Sequence, residues 1–153
     1  MKKPTVYLAN NCGFSPTNKL ALSPVITTLE QMGFTVWEPF SRENDVTTAG
    51  VVDPLKIAAG NIKDIENCDL VFAILNGEPP DNGVFFELGY AAAIGKPRAF
   101  FRDDFRICTD AKGIPANLMI TSNFNNLTDF TACCYFSVEE LTDNNKVLAQ
   151  LIK

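Results

Sequence analysis

The run Leu70-Val-Phe-Ala-Ile-Leu75 constrains this chain more than any other feature. Six consecutive apolar residues without alternation suit a central parallel strand covered on both faces, and such a strand needs helices on either side. The sequence supplies them. Thr5 to Ala9 reads as a buried strand ended by Asn10-Asn11-Cys12-Gly13. Asn18 to Met32 carries a helical apolar stripe (Leu20, Leu22, Val25, Ile26, Leu29, Met32) interrupted by Pro24 and closed by Gly33. Phe34 to Glu38 alternates and stops at Pro39, giving a second strand, and the polar stretch Ser41 to Thr48 reads as a long loop of the kind that covers a site. Pro54 to Cys68 is predicted as a helix with the stripe Leu55, Ile57, Ala58, Ile62 and Ile65.

After the Leu70–Leu75 strand, Asn76 to Asp81 is rich in turn residues, and Gly83 to Ile94 is helical, closed by Gly95 and Pro97. Arg98 to Phe101 starts a fourth strand, and Asn117 to Thr121 offers a short fifth. Ser137-Val-Glu-Glu140 has the form of a capping box opening a last helix that runs to Ile152, with a break near Asn144. Strands alternating with helices predict a doubly wound, flavodoxin-like α/β fold: a parallel five-stranded sheet with helices on both faces. The 153 residues suit a single domain spanning 1–153. In such sheets ligands bind beyond the carboxyl ends of the strands, which selects Ala9 to Phe14, the loop around Arg42, and above all Asn76 to Glu87.

Composition narrows the chemistry. The chain has no histidine, which removes the Ser-His-Asp triad, the Cys-His dyad and every imidazole acid/base scheme. A formal net charge of −5 argues against nucleic acid as a partner, because affinity for phosphate backbones comes from Lys and Arg. Cys12, Cys68, Cys108, Cys133 and Cys134 form no CxxC pair, so reduced thiols are expected and no metal site. The start, MKKPTVYLANN, is too short in apolar residues for a signal peptide, and no run is long enough to span a membrane; a cytoplasmic protein is expected.

Gly83 to Ile94 reads Gly-Val-Phe-Phe-Glu-Leu-Gly-Tyr-Ala-Ala-Ala-Ile, apolar or small nearly all round, which predicts a buried helix whose only charge is Glu87. Its neighbours at helical spacing offer no cation. An ionised carboxylate there costs several kcal/mol unless it is hydrogen-bonded or used, which makes Glu87 a candidate nucleophile or acid/base group, against the alternative of a solvent-facing glutamate near a helix N-terminus. Asp81, six residues earlier, is either the helix cap or the second member of a carboxylate pair of the kind glycosyl chemistry uses. Asp64 and Asp69 read as structural, the first on a helix surface and the second leading into the third strand.

Asp81-Asn-Gly-Val-Phe-Phe-Glu87-Leu-Gly-Tyr-Ala-Ala-Ala-Ile-Gly-Lys-Pro97 resembles the signature of the nucleoside 2-deoxyribosyltransferases. The likeness extends to Tyr7-Leu-Ala, to Asn61-Ile-Lys-Asp-Ile-Glu-Asn-Cys-Asp69, and to Asn117-Leu-Met119. It implies a double displacement at C1′ of a 2′-deoxynucleoside. The glutamate at Glu87 attacks, the base leaves, and a second base intercepts the deoxyribosyl-enzyme with net retention, as in retaining glycosidases. The resemblance gives Tyr7 the role of orienting Glu87, and Asp81 that of holding the sugar. It places Asn61, Met119, Gly83 and Phe14 against the substrate, and brings Asn117 to the site of a neighbouring subunit, so that the active unit is a homo-oligomer. The implied partners are a 2′-deoxynucleoside and a free purine or pyrimidine base, with no cofactor and no membrane. Asn61 stands where many members carry an aspartate; an asparagine hydrogen-bonds a base edge but delivers no proton, so the general acid stays unassigned. No role carries over to Lys153.

Other functions fit less well. A P-loop fails because Gly89 to Gly95-Lys96 has the wrong spacing and Pro97 replaces Ser or Thr. A receiver domain would want acidic residues where Ala9-Asn10-Asn11 stands, and a flavin module a Ser/Thr-rich phosphate loop there. The closer alternative is a deoxynucleoside or deoxynucleoside-monophosphate N-glycosidase on the same scaffold, with water in place of the second base.

Overall fold

The structure is a computed structural model that describes residues 2–42, 47–48, 51–106 and 109–152. Five strands form one parallel sheet: β1 (Thr5–Ala9), β2 (Thr35–Trp37), β5 (Leu70–Ile74), β6 (Arg98–Phe101) and β7 (Cys134–Tyr135). Their spatial order is β2-β1-β5-β6-β7, the flavodoxin-like order with its reversal between β1 and β5. Two short segments, β3 (Thr47–Thr48) and β4 (Val51–Val52), pair antiparallel outside this sheet. The helices are α1 (Pro16–Lys19), α2 (Ser23–Met32), α3 (Pro54–Asn67), α4 (Asn82–Ala93), α5 (Leu127–Thr131) and α6 (Val147–Leu151).

The alternation of side chains along each strand divides the core in two. Tyr7, Ala9, Val71, Ala73, Phe100 and Cys134 face α3 and α4, where they meet Ile65, Val84, Leu88 and Ala91. Val6, Leu8, Leu70, Phe72, Ala99, Phe101 and Tyr135 face the other way, onto Val25 and Leu29 of α2 and Leu148 of α6. All five residues of β1 and of β5 are buried, which is why the latter reads as an unbroken apolar run.

Several expectations are corrected. The fifth strand is Cys134–Tyr135, while Leu118–Thr121 is a 3-10 turn, because the Asn117 carboxamide accepts from Met119 N at 2.9 Å and starts a helical turn instead of an extended segment. The stripe from Asn18 breaks: Pro24 cannot sit inside a helix, so α2 starts at Ser23 with the proline in its first turn, and Leu20 is left exposed. In α3, Leu55 is 81% exposed whereas Asp64 is only 6% exposed. Asp64 is held by Arg42, with Nε at 2.7 Å and Nη2 at 3.0 Å, and Arg42 also lies over the Trp37 ring at 4.3 Å. The last helix is a 3-10 turn at Glu139–Thr142 followed by α6. Its capping box does not form; Glu140 accepts from Phe136 N and pairs with Lys146. Cys12, Cys68, Cys133 and Cys134 are free thiols. Cys108, Lys153 and residues 43–46 of the predicted loop lie outside the described residues.

Candidate active site

A cavity of about 400 Å³ opens at the carboxyl ends of β1 and β5, on the side of α3 and α4. One wall comes from Asn10, Gly13 and Phe14 after β1 and from Pro39 and Phe40 after β2. The others come from Ile57 and Asn61 of α3 and from Asp81, Gly83, Val84 and Glu87 at the start of α4. It lies at the position where ligands bind in open parallel sheets.

Glu87 is fixed by the strand beneath it. Tyr7, the middle residue of β1, is fully buried and donates its phenol to Glu87 Oε1 at 2.6 Å. Burial pushes the Glu87 carboxyl from the ordinary 4.5 up to about 7; the Tyr7 hydrogen bond works against the rise, and the charge of Asp81 adds to it. Burial and the adjacent carboxylate hold the Tyr7 phenol far above its usual range, so it remains a donor. No cation contributes to the lining among the described residues. The result is a carboxylate on the cavity wall, held through Oε1 and poised near neutrality, which suits a proton-transfer group or a nucleophile.

Asp81 both caps the helix and lines the cavity. Its Oδ1 accepts from Gly83 N at 2.8 Å and Val84 N at 3.2 Å, which leaves Oδ2 for a ligand. Gly83 is at the rim. A Cβ there would sit 2.9 Å from Asp81 Oδ1 and disturb this cap. Phe14 is largely exposed and meets Phe40 edge-on, with ring centroids 4.7 Å apart. Gly13 lies under the Phe40 ring, where a Cβ would come within 2.0 Å of ring carbons, so only glycine fits.

Asn117 and Met119 are elsewhere. They line a second hollow of about 400 Å³ with Asn82, Phe85, Leu88, Gly89, Arg98, Ile120 and Ser122. Within one chain the structure therefore unites Glu87, Tyr7, Asp81, Asn61, Gly83 and Phe14, but not Asn117 or Met119. Buried Arg98 supports the second hollow by donating to the carbonyls of Ile120 and Ser122 and lying over Phe124. The helix α4 was expected to be covered all round, yet Phe86 is 66% exposed, and Gly89 and Ala93 are exposed beside it.

Sequence reasoning selects the segment Ala9 to Phe14, which contains Asn10, but misses Ile57, Glu38 and Arg102 as contributors. Arg102 is buried and donates to the carbonyls of Leu75, Gly77 and Arg106, while Asn76 bonds Asp103 and the backbone N–H of Asp103 and Asp104. These bonds stitch the loops after β5 and β6 together and fix the approach to Asp81. The signal available was a pair of arginines bracketing a buried strand. Among the described residues no group of three or more His, Cys, Asp or Glu could hold a metal ion, and no helix is long and apolar enough to cross a membrane.

The family model described as nucleoside 2-deoxyribosyltransferase matches residues 6–119. Among solved structures, a 2-deoxyribosyltransferase from Leishmania mexicana is similar at 27% identity, covering 89% of this chain and 92% of its own, with a TM-score of 0.63. A 2-deoxyribosyltransferase from Bacillus psychrosaccharolyticus shares the fold at 23% identity, with 96% and 95% of the two chains covered and a TM-score of 0.70. A CMP N-glycosidase from Clostridium botulinum shares it at 18% identity, with 96% of each chain covered and a TM-score of 0.51. No curated protein sequence matches significantly.

Proposed function

Because the chain belongs to the nucleoside 2-deoxyribosyltransferase family, we propose that it exchanges the base of 2′-deoxynucleosides through a covalent deoxyribosyl-Glu87 intermediate. The observation that carries this reading is the 2.6 Å bond from Tyr7 to Glu87 inside a cavity at the switch point.

In the first half-reaction a Glu87 oxygen bonds to C1′ as the C1′–N bond breaks, and the bond's electron pair leaves with the base, which takes up a proton. In the second, a nitrogen of the incoming base bonds to C1′, the glutamate ester bond breaks back to the carboxylate, and the base gives up its proton. Two inversions return the starting configuration. Tyr7 holds Oε1, which orients Oε2 toward the sugar. Asp81 Oδ2 accepts from a sugar hydroxyl, and Asn61 and Phe14 meet the base. Asn61 delivers no proton and Asp81 is engaged as an acceptor, so the proton on the departing base comes from another acid or from water. Among the described residues the lining carries two carboxylates and no cation, an arrangement that repels a 5′-phosphate and favours nucleosides over nucleotides.

Incubation with 2′-deoxyinosine and adenine tests the proposal. 2′-Deoxyadenosine should accumulate, measured by chromatography, in proportion to added adenine. Free deoxyribose formed at a rate independent of adenine would identify a hydrolase instead.

The second hollow completes the reading. We propose that a second copy covers the exposed face at Phe86 and Gly89 and that Asn117, with the neighbouring Met119, reaches the partner's cavity. Met119 is 76% exposed and unlined by its own chain's catalytic groups, as a residue delivered to another chain would be. Glu87→Ala and Asn117→Ala chains should each be nearly inactive, yet mixing them in equal amounts should restore roughly a quarter of wild-type activity, since half of the dimers are mixed and one site in each is intact. No recovery after subunit exchange, confirmed by differently tagged chains, would exclude a shared site.

A further inference from the structure

Glu38 is a buried carboxylate that the mechanism above does not use; it is only 3% exposed. Three donors converge on it. Asn10 Nδ2 and Phe40 N each lie 3.2 Å from Oε1, and Ser41 Oγ lies 2.6 Å from Oε2. Through these bonds Glu38 joins the segment after β1 to the segment after β2, and Asn10, Pro39 and Phe40 all line the cavity.

The bond to Asn10 has a chemical consequence. The Asn10 carboxamide has two N–H donors, one directed at Glu38 Oε1 and the other at Leu8 O at 2.9 Å. Its oxygen accepts from Cys12 N at 2.9 Å. Rotating the amide by half a turn would set its NH2 against the Cys12 N–H and its oxygen against two acceptors, turning three attractions into repulsions. With both donors committed, the one remaining capacity of Asn10 is the second lone pair of its oxygen. Asn10 can accept from a ligand and cannot donate to it.

If Glu87 meets C1′ on the α4 wall, the base lies toward the opposite wall, which contains Asn10, Phe14 and Phe40. We infer that Asn10, locked as an acceptor by Glu38, selects bases that present an N–H at that edge, with Glu38 the positioning residue of this selectivity. The placement of the base rests on the proposed base-exchange reaction. The chemistry recognised is an exocyclic amino group or a protonated ring nitrogen, as in adenine or hypoxanthine. A base with no N–H at that edge leaves the second lone pair of the Asn10 oxygen without a donor in a water-poor site, which disfavours that base.

Binding in a Glu87→Gln background tests this without turnover. Titration calorimetry with 2′-deoxyadenosine, 2′-deoxyinosine and purine 2′-deoxyriboside, which lacks any base N–H, should show the first two binding about 10-fold more tightly than the third. Adding Asn10→Ala removes the acceptor. Adding Glu38→Gln supplies an NH2 that lets the Asn10 amide turn over. Either change should shrink the preference to about 2-fold while leaving the affinity for purine 2′-deoxyriboside as it was. A preference that is absent, that survives both substitutions, or that shrinks together with a loss of affinity for purine 2′-deoxyriboside would overturn the inference. Wild-type base exchange, assayed separately, reports on the enzymatic reading alone. Exchange without the binding preference defeats the role of Asn10 and leaves the enzyme; the preference without exchange does the reverse.

Discussion

Glu87→Gln should lower the rate of base exchange by on the order of 10⁴-fold or more, because the substitution deletes the nucleophile of the proposed reaction while keeping its shape. Mass spectrometry of the wild type mixed with a 2′-deoxynucleoside should show a deoxyribosyl adduct on the peptide containing Glu87, and the variant should show none. Exchange by an unmodified protein would defeat the covalent route. The same side chain predicts the pH profile. Only the ionised carboxylate attacks, so wild-type exchange should fall as pH drops through about 7, the value to which burial raises this group. Tyr7→Phe removes the hydrogen bond that opposes the rise, so the midpoint of that profile should move upward. Stability runs the other way. The folded-state value lies above the ordinary 4.5, so ionisation costs stability progressively between about pH 4.5 and 7, and the full cost persists above. Glu87→Gln should therefore melt higher than the wild type at pH 8, by an increment that vanishes toward pH 4. A loss of activity accompanied by a gain in melting temperature cannot be attributed to misfolding.

The second large effect belongs to the core. Phe100 is fully buried on β6, with its ring centroid 5.3 Å from that of Phe130 and 6.1 Å from that of Phe124. Phe124 and Phe130 in turn meet edge-on at 5.3 Å. Phe100→Ala should cost about 3–5 kcal/mol, combining lost burial with the cavity left among rings that cannot collapse into it. In a chain of this size that lowers the melting temperature by on the order of 10 °C, readable by calorimetry. Phe100→Leu should cost much less. Because Phe124 also carries Arg98 over its ring, the alanine variant should loosen the segment around Asn117 before it disturbs Tyr7 and Glu87.

The parts of the fold legible in the sequence are those decided locally. Leu70–Ile74 is a strand because every position is buried, and α4 starts where it does because Asp81 caps it and ends near Gly95. Glu87 and Asp81 were legible as a pair because one short segment carries both. Leu118 to Thr121 misled because its residues favour extended structure, while the outcome was set by one bond from the preceding asparagine. Asp64 misled for the opposite reason: its burial depends on Arg42, twenty-two residues away, which no periodicity reveals. The same holds for Asn10 and Glu38, whose pairing exists only because β1 and β2 lie side by side. Cys134–Tyr135 was too short to carry a strand signal, and its place depends on Phe100 and Phe101.

The sheet ends in a three-residue strand on one side and a two-residue strand on the other. Each border offers little free backbone on which a stranger's strand could add, which disfavours growth of the sheet across molecules. The pairing of copies proposed above is then left to side chains, whose shape and chemistry can distinguish a proper sibling from any other sticky neighbour.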